Sequence, residues 1–254
     1  MSDKTVAATI DLLYKIADDL LIIGHRNSEW TGLGPILEED ISFSSMAQDK
    51  IGQSQGVFTI LHQLGEPEMD TNAFHRSAES FHNAQFVELP NGEYDFSLMR
   101  HFLYDHADQI RFEMLANSSF EPIAKLARKI KGEIKYHVYH ANVWVVKLST
   151  ANKESHERMQ TALNICWNYA LGMFEESNYE KTLINEEIFV GENELKKKWL
   201  ENITPFLEKA SLKIPSESTW KPVYGGRNCN HTEHLKPLVL EMSEVFNIDP
   251  DAEW

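Results

Sequence analysis

The stretch KGEIKYHVYHANVWVVKL, residues 131–148, decides the fold of this chain. It contains no proline, and its one glycine is Gly132. Its apolar residues recur at steps of three and four, which is the period of a helix with one buried face. These residues are Ile130 just before the stretch, then Ile134, Val138, Ala141, Val145 and Leu148. The pattern predicts a long helix that packs against others.

Polar residues fall on the same predicted face. Glu133 and His137 are four residues apart and His137 and His140 are three apart, so all three can share one side of the helix. A carboxylate with imidazoles on the core side of a long helix is typical of a metal-carboxylate bundle. Hydrogen-bonded core histidines are the alternative, and the other helices have to decide between the two.

Composition excludes several classes of protein. The chain has 254 residues with 24 Lys and Arg against 39 Asp and Glu, a formal charge of −15. So acidic a surface would repel nucleic acids and anionic lipids, which predicts that the chain binds neither alone. Two cysteines, Cys166 and Cys229, are too few for a disulfide framework, and no apolar run approaches the length of a membrane span. These features predict a cytoplasmic protein.

Helical periodicity continues along the chain. It predicts an all-α protein in one domain, residues 1–254: a ferritin-like four-helix bundle with additional C-terminal helices. The predicted helices cover residues 5–25, 36–64, 97–117, 121–149, 155–176, 194–209 and 232–246. Residues 65–95, 177–192 and 211–230 are predicted to be irregular.

A di-iron bundle needs a Glu from each of two helices and a Glu-x-x-His from each of the other two. No Glu-x-x-His occurs on any of the predicted helices. The helix 97–117 does carry a dense polar cluster, and at that density most of it is expected to be solvated. Its members are His101, Asp105, His106 and Asp108. The residues therefore support the bundle but not a di-iron centre.

Short motifs in a fixed order give the chain a specific resemblance. They are Ser28–Gly32 with Pro35, Asp49–Gln53, Pro90–Gly92, Glu133–His137, Gly225–Gly226, His231–Leu235 and Leu240–Met242. With these motifs the chain resembles the structural C subunits of phenylacetyl-CoA 1,2-epoxidases, the multicomponent monooxygenases of bacterial phenylacetate degradation. The motifs are spread over nearly the whole chain.

The resemblance implies a ferritin-like subunit that pairs with a homologous catalytic A subunit, which holds the di-iron site. Where the catalytic partner reads Asp-Glu-x-Gly-His, this chain has Lys50 for the Glu and Gln53 for the His. Ile134 stands in the Glu place of the second motif, and only His137 is kept. The place of the bridging Glu falls near Leu20. The resemblance thus implies no metal and no cofactor in this chain.

Two further expectations concern charge and contact. Lys50 is expected to lie inside the bundle and to pair with a leftover carboxylate, Asp105 or else Glu133, because an unpaired buried ammonium is costly. The resemblance also marks a set of motif residues as interface candidates: Glu29, Trp30, Gly225, Gly226, His231, Glu233 and His234.

The favoured function is a non-catalytic structural subunit, and a homodimer is one form open to the chain when alone. The alternative is a ferritin-like oxidase with a non-standard metal set in its own bundle. Those ligands would be drawn from His101, Asp105, Glu133, His137 and His140. A helical scaffold without any such partner is the third hypothesis.

Overall fold

The computed structural model describes residues 1–249, and the regular elements in that range are all helical. The α-helices are α1 (Asp3–Ser28), α2 (Leu37–Gln63), α3 (Met69–Phe74), α4 (Gln85–Glu88), α5 (Tyr94–Leu115), α6 (Glu121–Ser149), α7 (Lys153–Gly172), α8 (Glu180–Asn185), α9 (Glu192–Lys209) and α10 (Leu235–Ser243). Short 3₁₀ turns lie at Ala78–Ser80, Glu217–Thr219, Gly226–Asn228 and Phe246–Ile248. The all-α prediction is confirmed.

The seven long helices lie close to their predicted bounds, and local chemistry explains most of the ends. Pro122 occupies the first turn of α6, where its missing N–H costs nothing. After α2, Gly65 takes a φ of 100°, a left-handed conformation that glycine adopts without steric cost. The last residue of α7, Gly172, cannot carry a side chain, because a Cβ there would lie 2.0 Å from the carbonyl oxygen of Val223.

Several boundaries and segments differ from the sequence predictions. Helix α5 begins at Tyr94, before its predicted start at residue 97, so Asp95 lies inside its first turn. The segments predicted to be irregular contain the short helices α3, α4 and α8. Helices of four to six residues carry too little periodicity to be recognised from sequence.

The chain divides into two compact units. Unit 1 comprises residues 1–9 and 91–224, and unit 2 comprises residues 10–90 and the chain from Gly225 on. Helix α1 is continuous, and its residues up to Thr9 group with unit 1. That the chain is one domain stays a prediction.

Helix α5 is the centre of unit 1. It packs against α6, α7 and α9, and nearly all its side chains from Ser97 to Ile110 are buried. The Trp199 indole on α9 donates from Nε1 to the carbonyl oxygen of Leu103, at 2.9 Å. Trp199 also packs on Trp167 of α7, with ring centroids 5.4 Å apart. The indoles therefore fix two neighbouring helices around α5.

In unit 2, α1 and α2 lie side by side. The Ser54 hydroxyl of α2 donates to the carbonyl oxygen of Ala17 in α1, at 2.8 Å. Gly24 lets the two helices approach, because a Cβ there would be 3.0 Å from Ile51 Cγ1. Helix α3 packs against α2, and α10 against α3. Within residues 1–249, none of the helices has both the length and the apolar content that crossing a membrane requires.

Candidate functional site

The polar side chains of α5 are buried, so the prediction that most of them are solvated is wrong. His101, Asp105, His106 and Asp108 each have an exposed fraction of at most 1%. Many polar residues on one helix normally indicate a solvated surface, but α5 is enclosed by other helices on several sides. Over residues 97–108 such a helix has no solvent face to which polar residues can be assigned.

Asp105 stands at the middle of an imidazole cluster in unit 1. One carboxylate oxygen lies 2.5 Å from Nδ1 of His101, and the other lies 3.4 Å from Nδ1 of His137 on α6. Nδ1 of His140 lies 3.3 Å from Nε2 of His101. The structure thus brings together four of the five residues proposed for an unusual metal set.

The geometry indicates which ring nitrogens carry protons. A carboxylate only accepts hydrogen bonds, so Nδ1 of His101, which lies 2.5 Å from Asp105, is the protonated nitrogen of that ring. Burial lowers the pKa of His101, and the adjacent Asp105 opposes that effect. Burial also lowers the pKa of His106 to about 4, although its Nε2 bonds to Asn142 Oδ1 at 2.8 Å.

The nitrogens of the cluster face Asp105 and one another in pairs. Accordingly, no group of three or more His, Cys, Asp or Glu side chains among residues 1–249 has an arrangement suited to a metal ion.

Glu133, the fifth residue proposed for the metal set, does not lie in the cluster around Asp105. Glu133 is exposed, so its predicted place on the buried face of α6 is wrong. One residue along a helix turns the side chain by about 100°, and the buried position belongs to its neighbour Ile134. His137 and His140 are buried as predicted, and both lie in the cluster around Asp105.

Unit 2 holds the other positions that the resemblance marks as altered ligands. Lys50 has an exposed fraction of 0%, Gln53 of 1% and Leu20 of 0%. The predicted burial of Lys50 is therefore confirmed. Its pairing with Asp105 or Glu133 concerns residues of the other unit and stays a prediction.

A second buried carboxylate, Glu88, ties together distant segments of unit 2. Its Oε2 accepts from Nδ1 of His231 at 2.8 Å and from the Asn83 amide at 2.9 Å. Its Oε1 accepts from the backbone N–H of Thr232 at 2.5 Å. His231 also places Nε2 2.8 Å from the carbonyl oxygen of Phe81. The segment after Gly225 is thereby fixed to the segment before α4.

Adjacent acids on α1 reinforce this connection. Asp19 accepts from Arg227 at 2.7 Å and from the backbone N–H of Ala84 at 2.8 Å. Asp18 pairs with Arg76 and accepts from the backbone N–H of His82 at 2.8 Å. Both acids have an exposed fraction of 0%. They hold irregular chain segments that have few backbone bonds of their own.

The glycine motif has a steric role. Gly225 has a φ of 125°, in the region that favours glycine. A Cβ on Gly226 would lie 2.2 Å from the carbonyl oxygen of Asn83. Of the motif that follows, His231 is held by Glu88, whereas Glu233 is exposed and His234 partly so. Glu233 is thus the exposed residue of the motif His231–Leu235.

Glu29 and Trp30 lie where α1 ends. Glu29 accepts from Arg26 at 2.6 Å, and Arg26 donates in turn to the carbonyl oxygen of Glu88 at 2.8 Å. The Trp30 ring packs near Phe43 of α2, with centroids 6.2 Å apart. Both side chains are partly exposed. Their structural role is to hold the turn between α1 and α2.

One Glu-x-x-His does occur in the chain, outside the predicted helices. Glu79 and His82 have that spacing, but Glu79 is exposed and belongs to the 3₁₀ turn Ala78–Ser80. His82 places its Nδ1 3.8 Å from Cys229 Sγ and 3.3 Å from the carbonyl oxygen of Arg227. The pair therefore does not supply the helix-borne motif of a di-iron site.

Sequence reasoning missed Glu88, Asn83, Arg227 and the role of Asp18 and Asp19. Glu88 and His231 are 143 residues apart, and neither lies on a long periodic helix. A signal did exist on α1, where two adjacent acids interrupt an apolar stripe. Charges at such positions are almost never fully buried unless they are paired.

The fold and these sites define the class: an all-helical protein with imidazole and carboxylate groups in its interior. The family model described as "Phenylacetic acid catabolic protein" matches residues 1–254, and the chain belongs to that family. It is similar to the C subunit of 1,2-phenylacetyl-CoA epoxidase from Escherichia coli (strain K12). The two are 29% identical over 241 residues, covering 94% of this chain and 96% of the relative. The helices are consistent with the ferritin-like bundle of the family.

Proposed function

We propose that this chain is the non-catalytic structural subunit of a phenylacetyl-CoA 1,2-epoxidase and that it pairs with a homologous catalytic A subunit. The observation that carries the proposal is the burial of Lys50 and Gln53 on α2 and of Ile134 on α6. The resemblance places iron ligands of the catalytic subunit at these three positions. The full-length match to the family supports the same assignment.

The residues present do not fit a di-iron centre. Two irons in such a bundle are held by about four carboxylates and two imidazoles. An ammonium at Lys50 repels cations, the amide of Gln53 is a weak neutral replacement for an imidazole, and Ile134 has no ligand atom. The acid next to that position, Glu133, is exposed. We therefore assign no metal and no cofactor to this chain.

A structural role then depends on contact with the catalytic subunit. In this proposal the chain supports the helices of that subunit and orders the loops around its coenzyme A thioester pocket. Permanent interfaces of this kind often bury more than about 2,000 Å² in total. The assembly would operate in the cytoplasm.

Reconstitution tests the proposal. The chain is expressed alone and together with the catalytic subunit, and iron content and thioester-dependent oxygen consumption are measured on both preparations. We expect a stable complex, with iron and activity that require the catalytic subunit. Stoichiometric iron in the isolated chain, or oxidase activity without a partner, would favour the alternative of a metal site among His101, Asp105, His137 and His140.

A further inference from the structure

Helix α6 has a charge opposite to that of the whole chain. It contains six Lys and Arg residues against two Asp and Glu, whereas the chain has 24 against 39. Five of the six lie between Lys125 and Lys135, and all six are exposed. The basic residues are Lys125, Arg128, Lys129, Lys131, Lys135 and Lys147. An acidic protein thus presents one basic helix face to solvent.

Apolar and aromatic side chains continue this face. Tyr136 is 48% exposed, Tyr139 66% and Val143 42%. With Lys129 and Gly132 they follow one another at alternating steps of three and four residues. That spacing forms a single seam, as in helices that pack against a partner helix. Tyrosine is also enriched at protein interfaces.

Gly132 lies in the middle of this seam, and the fold of the chain does not require a glycine there. A Cβ at that position would meet nothing within 4 Å, and the residue is exposed. Glycine inside a helix destabilises it by about 1 kcal/mol relative to alanine. A small residue in an exposed seam does, however, allow the backbone of a second helix to come close.

Charge decides which partner this face can accept. A symmetric dimer through the seam would bring two faces of the same positive charge together, which is unfavourable. A nucleic acid would be repelled by a chain with a net charge of −15. A protein face with carboxylates around an apolar centre complements both the lysines and the tyrosines.

We propose that the exposed face of α6 from Lys129 to Val143 is the docking surface for a carboxylate-bearing helix of the catalytic subunit. The lysines determine the orientation and the rate of association, and the tyrosines supply apolar contact. Gly132 permits close approach. This inference rests on the proposed function, which supplies the catalytic subunit as the partner.

The experiment measures the affinity of the purified chain for the catalytic subunit at low and at moderate salt. The test variant carries Lys129→Glu, Lys131→Glu and Lys135→Glu. The matched control carries Lys196→Glu, Lys197→Glu and Lys198→Glu on α9, which changes the net charge equally at another surface. We expect the test variant to lose about tenfold or more in affinity, and the control less than about threefold.

A second variant addresses Gly132 without changing charge. Gly132→Leu should raise or preserve the melting temperature of the free chain, because leucine favours helix and the site is open. The same change should lower affinity for the catalytic subunit about tenfold by blocking close approach. A glycine that serves only the chain's own fold would give the opposite result, a lower melting temperature with unchanged affinity.

Other outcomes overturn the inference in distinguishable ways. Equal losses in the test and control triples would mean that only bulk charge matters. Self-association of the free chain that disappears in the test triple would assign the face to a second copy. Tight binding of a single-stranded oligonucleotide that disappears with the lysines would assign it to nucleic acid. If the wild-type chain does not bind the catalytic subunit at all, the proposed function fails together with this inference.

Discussion

The two units each bury a carboxylate beside an imidazole, yet they use the pair differently. Asp105 of unit 1 and Glu88 of unit 2 both have an exposed fraction of 0%. Asp105 lies between His101 and His137, side chains of two long helices. Glu88 accepts from a backbone N–H and an amide as well as from an imidazole, all on irregular segments.

The difference lies in the kind of chain segment that each carboxylate connects. The helices α5 and α6 satisfy their own backbone groups, so Asp105 adds only side-chain bonds between elements that pack anyway. The segments around Glu88 have few regular backbone bonds, and buried polar groups without a partner are costly. We infer that Glu88 is required to close unit 2, whereas Asp105 pairs with the imidazoles of a core that hydrophobic packing already holds.

The largest effect is therefore expected for Glu88→Ala. The change removes the acceptor of the Thr232 N–H and one acceptor each of the Asn83 amide and His231. The free energy of unfolding should fall by about 3–5 kcal/mol, the range for breaking a buried ionic network. Urea unfolding followed by circular dichroism measures it. Glu79→Ala, at an exposed acid of the same unit, is the control, and an equal loss in both variants would contradict the role given to Glu88.

Asp105→Ala should have a smaller effect. The imidazoles of His101 and His137 each lose one acceptor, while the packing of α5 against its neighbours remains. We expect a loss of about 2–4 kcal/mol in the free energy of unfolding. Glu113→Ala, on the exposed side of α5, serves as the control. A loss within error would show that Asp105 is solvated and that the cluster does not form.

The smallest effect concerns pH. The pKa of His106 is lowered to about 4 by burial, so between pH 6.5 and pH 4 the unfolded chain binds more protons than the folded chain. Stability therefore falls as the pH is lowered through that range. Between pH 7 and pH 5 the wild-type chain should lose about 1–2 kcal/mol more than His106→Gln.

Urea titrations at the two pH values measure this difference. His62→Gln removes an imidazole that is exposed, and it separates the effect of burial from the loss of a histidine. A pH dependence that is the same in wild type and His106→Gln would rule out the contribution of His106. Together, Glu88→Ala, Asp105→Ala and His106→Gln test whether the buried polar groups of the two units differ in their contribution to the free energy of unfolding and to its pH dependence.

Much of the candidate site could be predicted, because it lies on long helices. Periods of three and four residues placed His137, His140 and Ile134 on the buried face of α6, and all three are buried. The same argument failed for Glu133, one position from a buried residue, because the edge of a helical face depends on which neighbour packs there. It failed for His101 and His106 because α5 is surrounded.

The sequence by itself determined the helices and their approximate ends, since each depends on residues within a few turns of one another, while the burial of Lys50 was implied by the family resemblance. Only the tertiary structure decided that Glu88 meets His231 and that Asp19 meets Arg227. These pairs are 143 and 208 residues apart and lie partly on segments without periodicity. Local sequence carries no information on such contacts, because the free energy that forms them arises only when distant segments are brought together and water is removed.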